Sequence, residues 1–175
     1  MKIIAFAGSN SKNSINKKLV TYVSHLFEGA EVEVLDLNDY ALPVFGVDLE
    51  AEIGQPALAK DFLNKIALAD ILVISLAENN GNYSTAFKNT YDWASRQTKD
   101  VFQQKNTLLM ATSPGARGGA SVLEIAKNAF PRYGAVVKNT FSLPSFNNNF
   151  DTQSNSISNL ELDNQIKEIV RNFNL

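Results

Sequence analysis

Three times along this chain an almost unbroken apolar run ends in a polar turn that opens an amphipathic stretch. Lys2 to Ala7 (KIIAFA) passes into Gly8-Ser9-Asn10-Ser11, Ile71 to Leu76 (ILVISL) into Ala77-Glu78-Asn79-Asn80-Gly81, and Thr107 to Thr112 (TLLMAT) into Ser113-Pro114-Gly115-Ala116-Arg117-Gly118-Gly119. A strand without polar alternation has both faces covered, as in the middle of a parallel sheet. Parallel neighbours need long crossovers, and the amphipathic stretches supply them as helices. The pattern predicts an α/β fold in one domain spanning residues 1–175, with helices on both faces of the sheet.

The remaining segments fill in that plan. Ile15, Leu19, Tyr22, Val23 and Leu26 recur at helical spacing, with Gly29 placed to end the helix. Glu31 to Leu37 (EVEVLDL) alternates strictly and suits a strand near the edge. Asp39 to Gln55, with Pro43, Gly46 and Gly54, reads as a long irregular loop. Pro56 then opens a helix whose inward residues are Leu58, Phe62, Leu63 and Ile66. Ser84 or Thr85 caps the next helix, through Phe87, Thr90, Tyr91 and Ala94, and Val122, Leu123, Ala126 and Phe130 mark another. Ala135 to Phe141 reads as a last inner strand, Leu143 to Ser158 as an Asn/Ser-rich connection, and Leu160, Ile166, Ile169, Val170 and Phe173 as a closing helix. Five strands of this kind fit a flavodoxin-like three-layer sandwich with a parallel sheet of order 2-1-3-4-5. Its switch point lies between strands one and three, where the three polar turns would meet.

The first turn has the chemistry of an anion site. Ser9, Ser11 and Ser14 offer hydroxyls beside the N–H groups that open the first helix, and those groups carry the positive end of its dipole. Convergence of the three turns points to a nucleotide-like ligand.

Composition removes several alternatives. Of 175 residues none is cysteine and one, His25, is histidine, which leaves no thiolate nucleophile and little material for a metal centre. A formal net charge of −2 gives no electrostatic reason to expect nucleic acid or an anionic membrane as partner. No apolar run approaches the roughly 18 residues of a membrane span, and the chain begins directly on a strand, so a soluble, cytoplasmic protein is expected. Neither a G-x-G-x-x-G nor a G-x-x-x-x-G-K-[ST] motif follows the first strand, and no G-x-S-x-G elbow occurs. His25 falls late in its helix, on the flank. Glu78 is a lone acid suited to hydrogen-bonding its own loop, and Trp93 with the phenylalanines reads as core or interface.

Taken together, Gly8-Ser9 with Ser14 and Asn16, Glu78-Asn79-Asn80-Gly81 leading into Lys88-Asn89 and Asp92-Trp93-Ala94-Ser95, and Ser113-Pro114-Gly115 with Arg117-Gly118-Gly119 resemble the NADPH-dependent FMN reductases. The likeness runs from the first strand to about Val137. It implies that Ser9, Ser11, Ser14, Ile15 and Asn16 surround the phosphate of FMN. It also implies that Ala77, Glu78, Asn79, Asn80 and Gly81 lie along the isoalloxazine ring, with Ser113, Pro114, Gly115 and Arg117 at its other edge. NADPH or NADH would be the co-substrate and a small molecule such as a quinone, free flavin or azo compound the acceptor, with no catalytic side chain because the flavin carries the chemistry. Homodimers or homotetramers through the helix of Lys88, Asp92 and Trp93 are implied as well. Two departures stand out: the family usually has arginine where Ser11 stands, next to Lys12, and Pro-Glu-Tyr-Asn where this chain reads Ala77-Glu78-Asn79-Asn80, with Tyr83 close by. Two alternatives use the same fold, an electron carrier of flavodoxin type and a scaffold protein with weakened FMN affinity.

Overall fold

The computed structural model describes residues 1–173. Its main sheet is built from β1 (Lys2–Gly8), β2 (Glu31–Leu35), β3 (Ile71–Leu76), β6 (Lys105–Thr112) and β7 (Ala135–Leu143), all parallel in the order β2-β1-β3-β6-β7. With the short strands set aside, this is the expected 2-1-3-4-5 order. The unbroken apolar runs are central because both of their faces are covered. Ile4 and Phe6 of β1 join a core with Phe62, Ile74, Phe87 and Phe130, beneath α3 (Ala57–Ala67), α4 (Thr85–Gln97) and α5 (Ala120–Ala129). Ile3, Ala5 and Ala7 join a second core with Leu19, Val23, Met110 and Ile166, beneath α1 (Ile15–Ser24) and α7 (Leu160–Arg171).

Several boundaries differ from the sequence expectation, each for a local reason. Helix α1 stops at Ser24, not at Gly29, where the Ser24 hydroxyl competes for the Thr21 carbonyl and the Leu26 N–H turns to the Val23 carbonyl in a tighter step. Strand β2 ends at Leu35: Asp36 accepts the Asn38 N–H at 2.9 Å, pairs with the Lys17 ammonium and starts a 3-10 turn. The segment expected to be one irregular loop contains α2 (Val47–Ile53), which buries none of its residues. It is tied to α4 by Glu50, which accepts from Arg96 Nε at 2.9 and 3.0 Å, while Asn89 and the Trp93 indole N–H bond the backbone of Leu42 to Phe45. In α3 Leu58 points to solvent and Ala59 takes the inward place, and Leu160 at the start of α7 is likewise exposed.

Strand β7 is the second edge of the sheet, not an inner strand, and its burial alternates accordingly. The Asn/Ser-rich connection is ordered too, as α6 (Phe146–Asn149) and a hairpin of β8 (Phe150–Asp151) with β9 (Ser156–Ile157). Phe146, Phe150 and Ile157 anchor it in the second core, the two rings stacked 4.7 Å apart. Among the described residues no helix is long and apolar enough to cross a membrane.

Candidate functional site at the carboxyl edge of the sheet

The turns after β1, β3 and β6 meet at the carboxyl edge, on either side of the point where strand order reverses. Between them lies a cleft of about 220 Å³ lined by Ser9, Ser11, Asn13, Ser14, Ile15 and Asn16 from the first turn, Ala77, Glu78 and Asn79 from the second, and Thr112, Ser113 and Pro114 from the third. Of the residues singled out in the sequence, Asn80, Gly81, Gly115 and Arg117 fall outside this lining. An adjoining hollow of about 380 Å³ begins across Asn79 and Asn10 and is walled by Tyr40, Val44, Thr85 and Asn89.

The first wall is built on helix capping. Ser14 is the N-cap of α1, its Oγ accepting the Lys17 N–H at 3.1 Å, which leaves the hydroxyl proton free to donate outward. Ser9 Oγ accepts the Ser11 N–H at 3.2 Å. Asn16 forms the floor. Its Oδ1 accepts from Ser75 Oγ at 2.7 Å and from the Thr112 N–H at 3.1 Å, and its Nδ2 donates to the Thr112 carbonyl at 3.1 Å. One amide therefore ties α1 to the ends of β3 and β6. A signal for this was available, since Asn16 stands at helical spacing from buried Leu19, Val20 and Val23 and so lies on the inward stripe.

The second wall is a hairpin, where the sequence alone predicts a plain polar turn. Strands β4 (Glu78–Asn79) and β5 (Asn82–Tyr83) pair antiparallel across Asn80 and Gly81, both at positive φ, +52° and +77°, as a primed two-residue turn requires. The alternation sends Tyr83 into the core, its ring 5.4 Å from Phe87 and 6.0 Å from Phe130. Tyr83 thus does not replace the missing aromatic at the cleft. Nor does Glu78 bond its own loop: its Oε2 accepts the Val122 N–H at 3.0 Å, on the first turn of α5. Helix α5 is preceded by Gly119, which offers no side-chain cap, so Glu78 caps it from 44 residues away.

The third wall is braced by α6, a contribution invisible in the Asn/Ser-rich segment. Phe146 N–H donates to the Ser113 carbonyl at 3.0 Å and Ser145 N–H to Gly115 at 2.9 Å. Arg117 is exposed, in the turn before α5, and donates to Ser121 Oγ on the first turn of that helix at 2.8 Å. Lys12 lines a separate hollow outside α1 and does not stand in for the absent arginine. No lysine or arginine lines the cleft among the described residues. The lysine and aspartate of α4 pair with each other, Lys88 Nζ to Asp92 at 2.7 Å, and Trp93 is fully buried as part of the core.

Burial leaves a signature in the tyrosines near this wall. It pushes the Tyr83 phenol up to about 12 and the Tyr91 phenol higher still, and neither hydroxyl has a partner among the described residues. Because the folded state favours the neutral phenol, the stability involved is complete below the ordinary value of 10.0 and is lost as pH rises through the raised values. Phenolate absorbance of these tyrosines is expected to appear only together with unfolding; titration near 10 with the fold intact would contradict it.

Fold and site together define a doubly wound α/β protein with a hydroxyl-lined cleft at a helix N-terminus. The chain belongs to the NADPH-dependent FMN reductase family, a family of oxidoreductases, whose model matches residues 1–148. It is 28% identical over 164 residues to an NADPH:quinone oxidoreductase of Arabidopsis thaliana, covering 90% of this chain and 82% of the relative. Among solved structures it is similar to FerB, a flavoenzyme NAD(P)H:(acceptor) oxidoreductase from Paracoccus denitrificans, with a TM-score of 0.76, 26% identity and coverage of 98% of this chain and 94% of that one. An FMN-dependent NADH-azoreductase from Bacillus anthracis, solved with FMN, shares the fold at a TM-score of 0.66 and 14% identity, with 98% of both chains covered.

Proposed function

We propose that this chain is an FMN-dependent oxidoreductase acting in the cytoplasm, with NAD(P)H as donor and a small molecule such as a quinone, free flavin or azo compound as acceptor. The observation that carries this reading is the single cleft formed by three turns at the switch point, with the free end of α1 on one side of it. When bound, FMN supplies the redox chemistry, accepting a hydride from the nicotinamide and passing electrons to the acceptor.

The donors present suit that group. Ser9, Ser11 and Ser14 hydroxyls and the opening N–H groups of α1 would hold the phosphate, with neutral donors and a helix dipole in place of a charged side chain. The turn Ala77 to Gly81 and residues Ser113 to Gly115 would flank the ring, with Arg117 on the same turn as Gly115 but outside the cleft lining. A cleft of about 220 Å³ lies below the 300 Å³ or so at the small end of typical ligand pockets, so an elongated cofactor would project towards the adjoining hollow and remain open to a second molecule. The family's dimers or tetramers through the Lys88 to Trp93 helix belong to this proposal as well.

Steady consumption of NADPH in the presence of FMN and a quinone, without a partner reductase, tests the reading and separates it from an electron carrier. Ser14→Ala is expected to weaken FMN binding about tenfold by removing a donor to the phosphate, and to lower stability by about 1 kcal/mol by removing the α1 cap. Unchanged affinity in a fluorescence titration would mean that no phosphate sits there.

A further inference from the structure

We infer that Glu78 sets the charge balance of the cleft, its pinned carboxylate opposing the negative charge that a bound flavin gains on reduction and thereby favouring discharge to an acceptor. This rests on the flavin reading of the site. Glu78 is the one ionisable side chain in the cleft lining among the described residues. Its position is not free to relax, because Oε2 accepts the Val122 N–H at 3.0 Å and the positive end of α5 holds it in place. Oε1 accepts no hydrogen bond among the described residues, so the side chain keeps an unshared oxygen.

No lysine or arginine lines the cleft beside it among the described residues. Arg117 is engaged with Ser121, Lys17 with Asp36, and Lys12 lines the hollow on the outer side of α1. The end of α5 offsets part of the carboxylate charge, but no side chain in the lining completes the compensation. A hydride brings two electrons and one proton, so the cofactor becomes more negative by one charge when the nicotinamide is oxidised. A fixed like charge in a partly desolvated cleft disfavours that state. Reduced flavin is therefore held less tightly than oxidised flavin, and by thermodynamic linkage the potential of the bound cofactor falls by the corresponding free energy. The device differs from acid–base chemistry, for which a lone carboxylate has no partner here.

Glu78→Gln separates charge from shape, because the amide oxygen can still accept the Val122 N–H. The experiment titrates the wild type, Glu78→Gln and Glu78→Asp with oxidised FMN, and anaerobically with chemically reduced FMN, following bound flavin by fluorescence and absorbance. Wild type and Glu78→Asp are expected to prefer the oxidised form. Glu78→Gln is expected to shift the ratio of the two affinities about fivefold towards reduced FMN, with a corresponding rise in midpoint potential. An unchanged ratio of the two affinities in Glu78→Gln would overturn the inference, as would equal loss of both forms, which would assign Glu78 to bracing the wall alone. A wild type that binds neither form would defeat the flavin reading itself, and the inference with it.

Discussion

Asn16→Ala is expected to lower the free energy of unfolding by about 3–5 kcal/mol, since it removes three hydrogen bonds at a site where the partners have no water to turn to. Asn16, Ser75 and Thr112 are all essentially inaccessible. Truncation leaves the Ser75 hydroxyl and both backbone groups of Thr112 without their partner and opens a cavity between α1 and the sheet. For a chain of this size each kcal/mol shifts Tm by roughly 2–4 °C, so a fall of about 10 °C is expected in a thermal melt. The same change releases the ends of β3 and β6 from α1, and FMN affinity should fall with stability. Asn16→Asp does not rescue, because it places a second oxygen against the Thr112 carbonyl. Asn10→Ala, one exposed residue on the same turn, should stay within about 0.5 kcal/mol of wild type. A stable, flavin-binding Asn16→Ala protein would show that the amide is dispensable to the floor of the cleft.

Gly118→Ala is the second large effect. Gly118 has φ +56°, and a Cβ built there would lie 2.3 Å from Ser142 Oγ, 2.9 Å from Pro144 N and 3.0 Å from Leu143 C. The serine can rotate away only by giving up its 3.0 Å hydrogen bond to the Gly118 carbonyl, and the two backbone atoms belong to the last residue of β7 and the one after it, which cannot yield. Left-handed strain and overpacking together should cost about 2–4 kcal/mol. Relief would come from shifting the turn away from β7, which moves the start of α5 and with it the Val122 N–H that holds Glu78. The expected result is a lower Tm together with weakened flavin binding. Gly115→Ala on the same turn, where a Cβ meets only Ser113 Oγ at 3.8 Å, should leave the Tm within error. Equal behaviour of the two variants would refute this account of the third wall.

These two positions also mark how far a sequence can be read. Strand order, both layers of helices and the meeting of three turns follow from runs such as ILVISL and the glycines and serines after them, because burial on both faces leaves a pattern in the residues themselves. Side-chain direction at the site leaves no such pattern. Asn16 has the composition of a phosphate ligand and the helical phase of a core residue, and phase decides its contacts. Tyr83 stands beside the cleft in sequence yet alternates into the core, because Asn80-Gly81 folds the segment into a hairpin. Glu78 finds its partner 44 residues on, a distance that local reasoning cannot bridge. The ordered stretch of α6, β8 and β9 was hidden because three apolar anchors are diluted among asparagines and serines.

FMN binding in this cleft underlies each of these roles. The most direct measurement is a fluorescence titration of FMN with the wild-type protein. Saturable quenching at one flavin per chain, with a perturbed visible flavin spectrum, is the predicted result. Unquenched FMN at protein concentrations far above those of the flavin would contradict it.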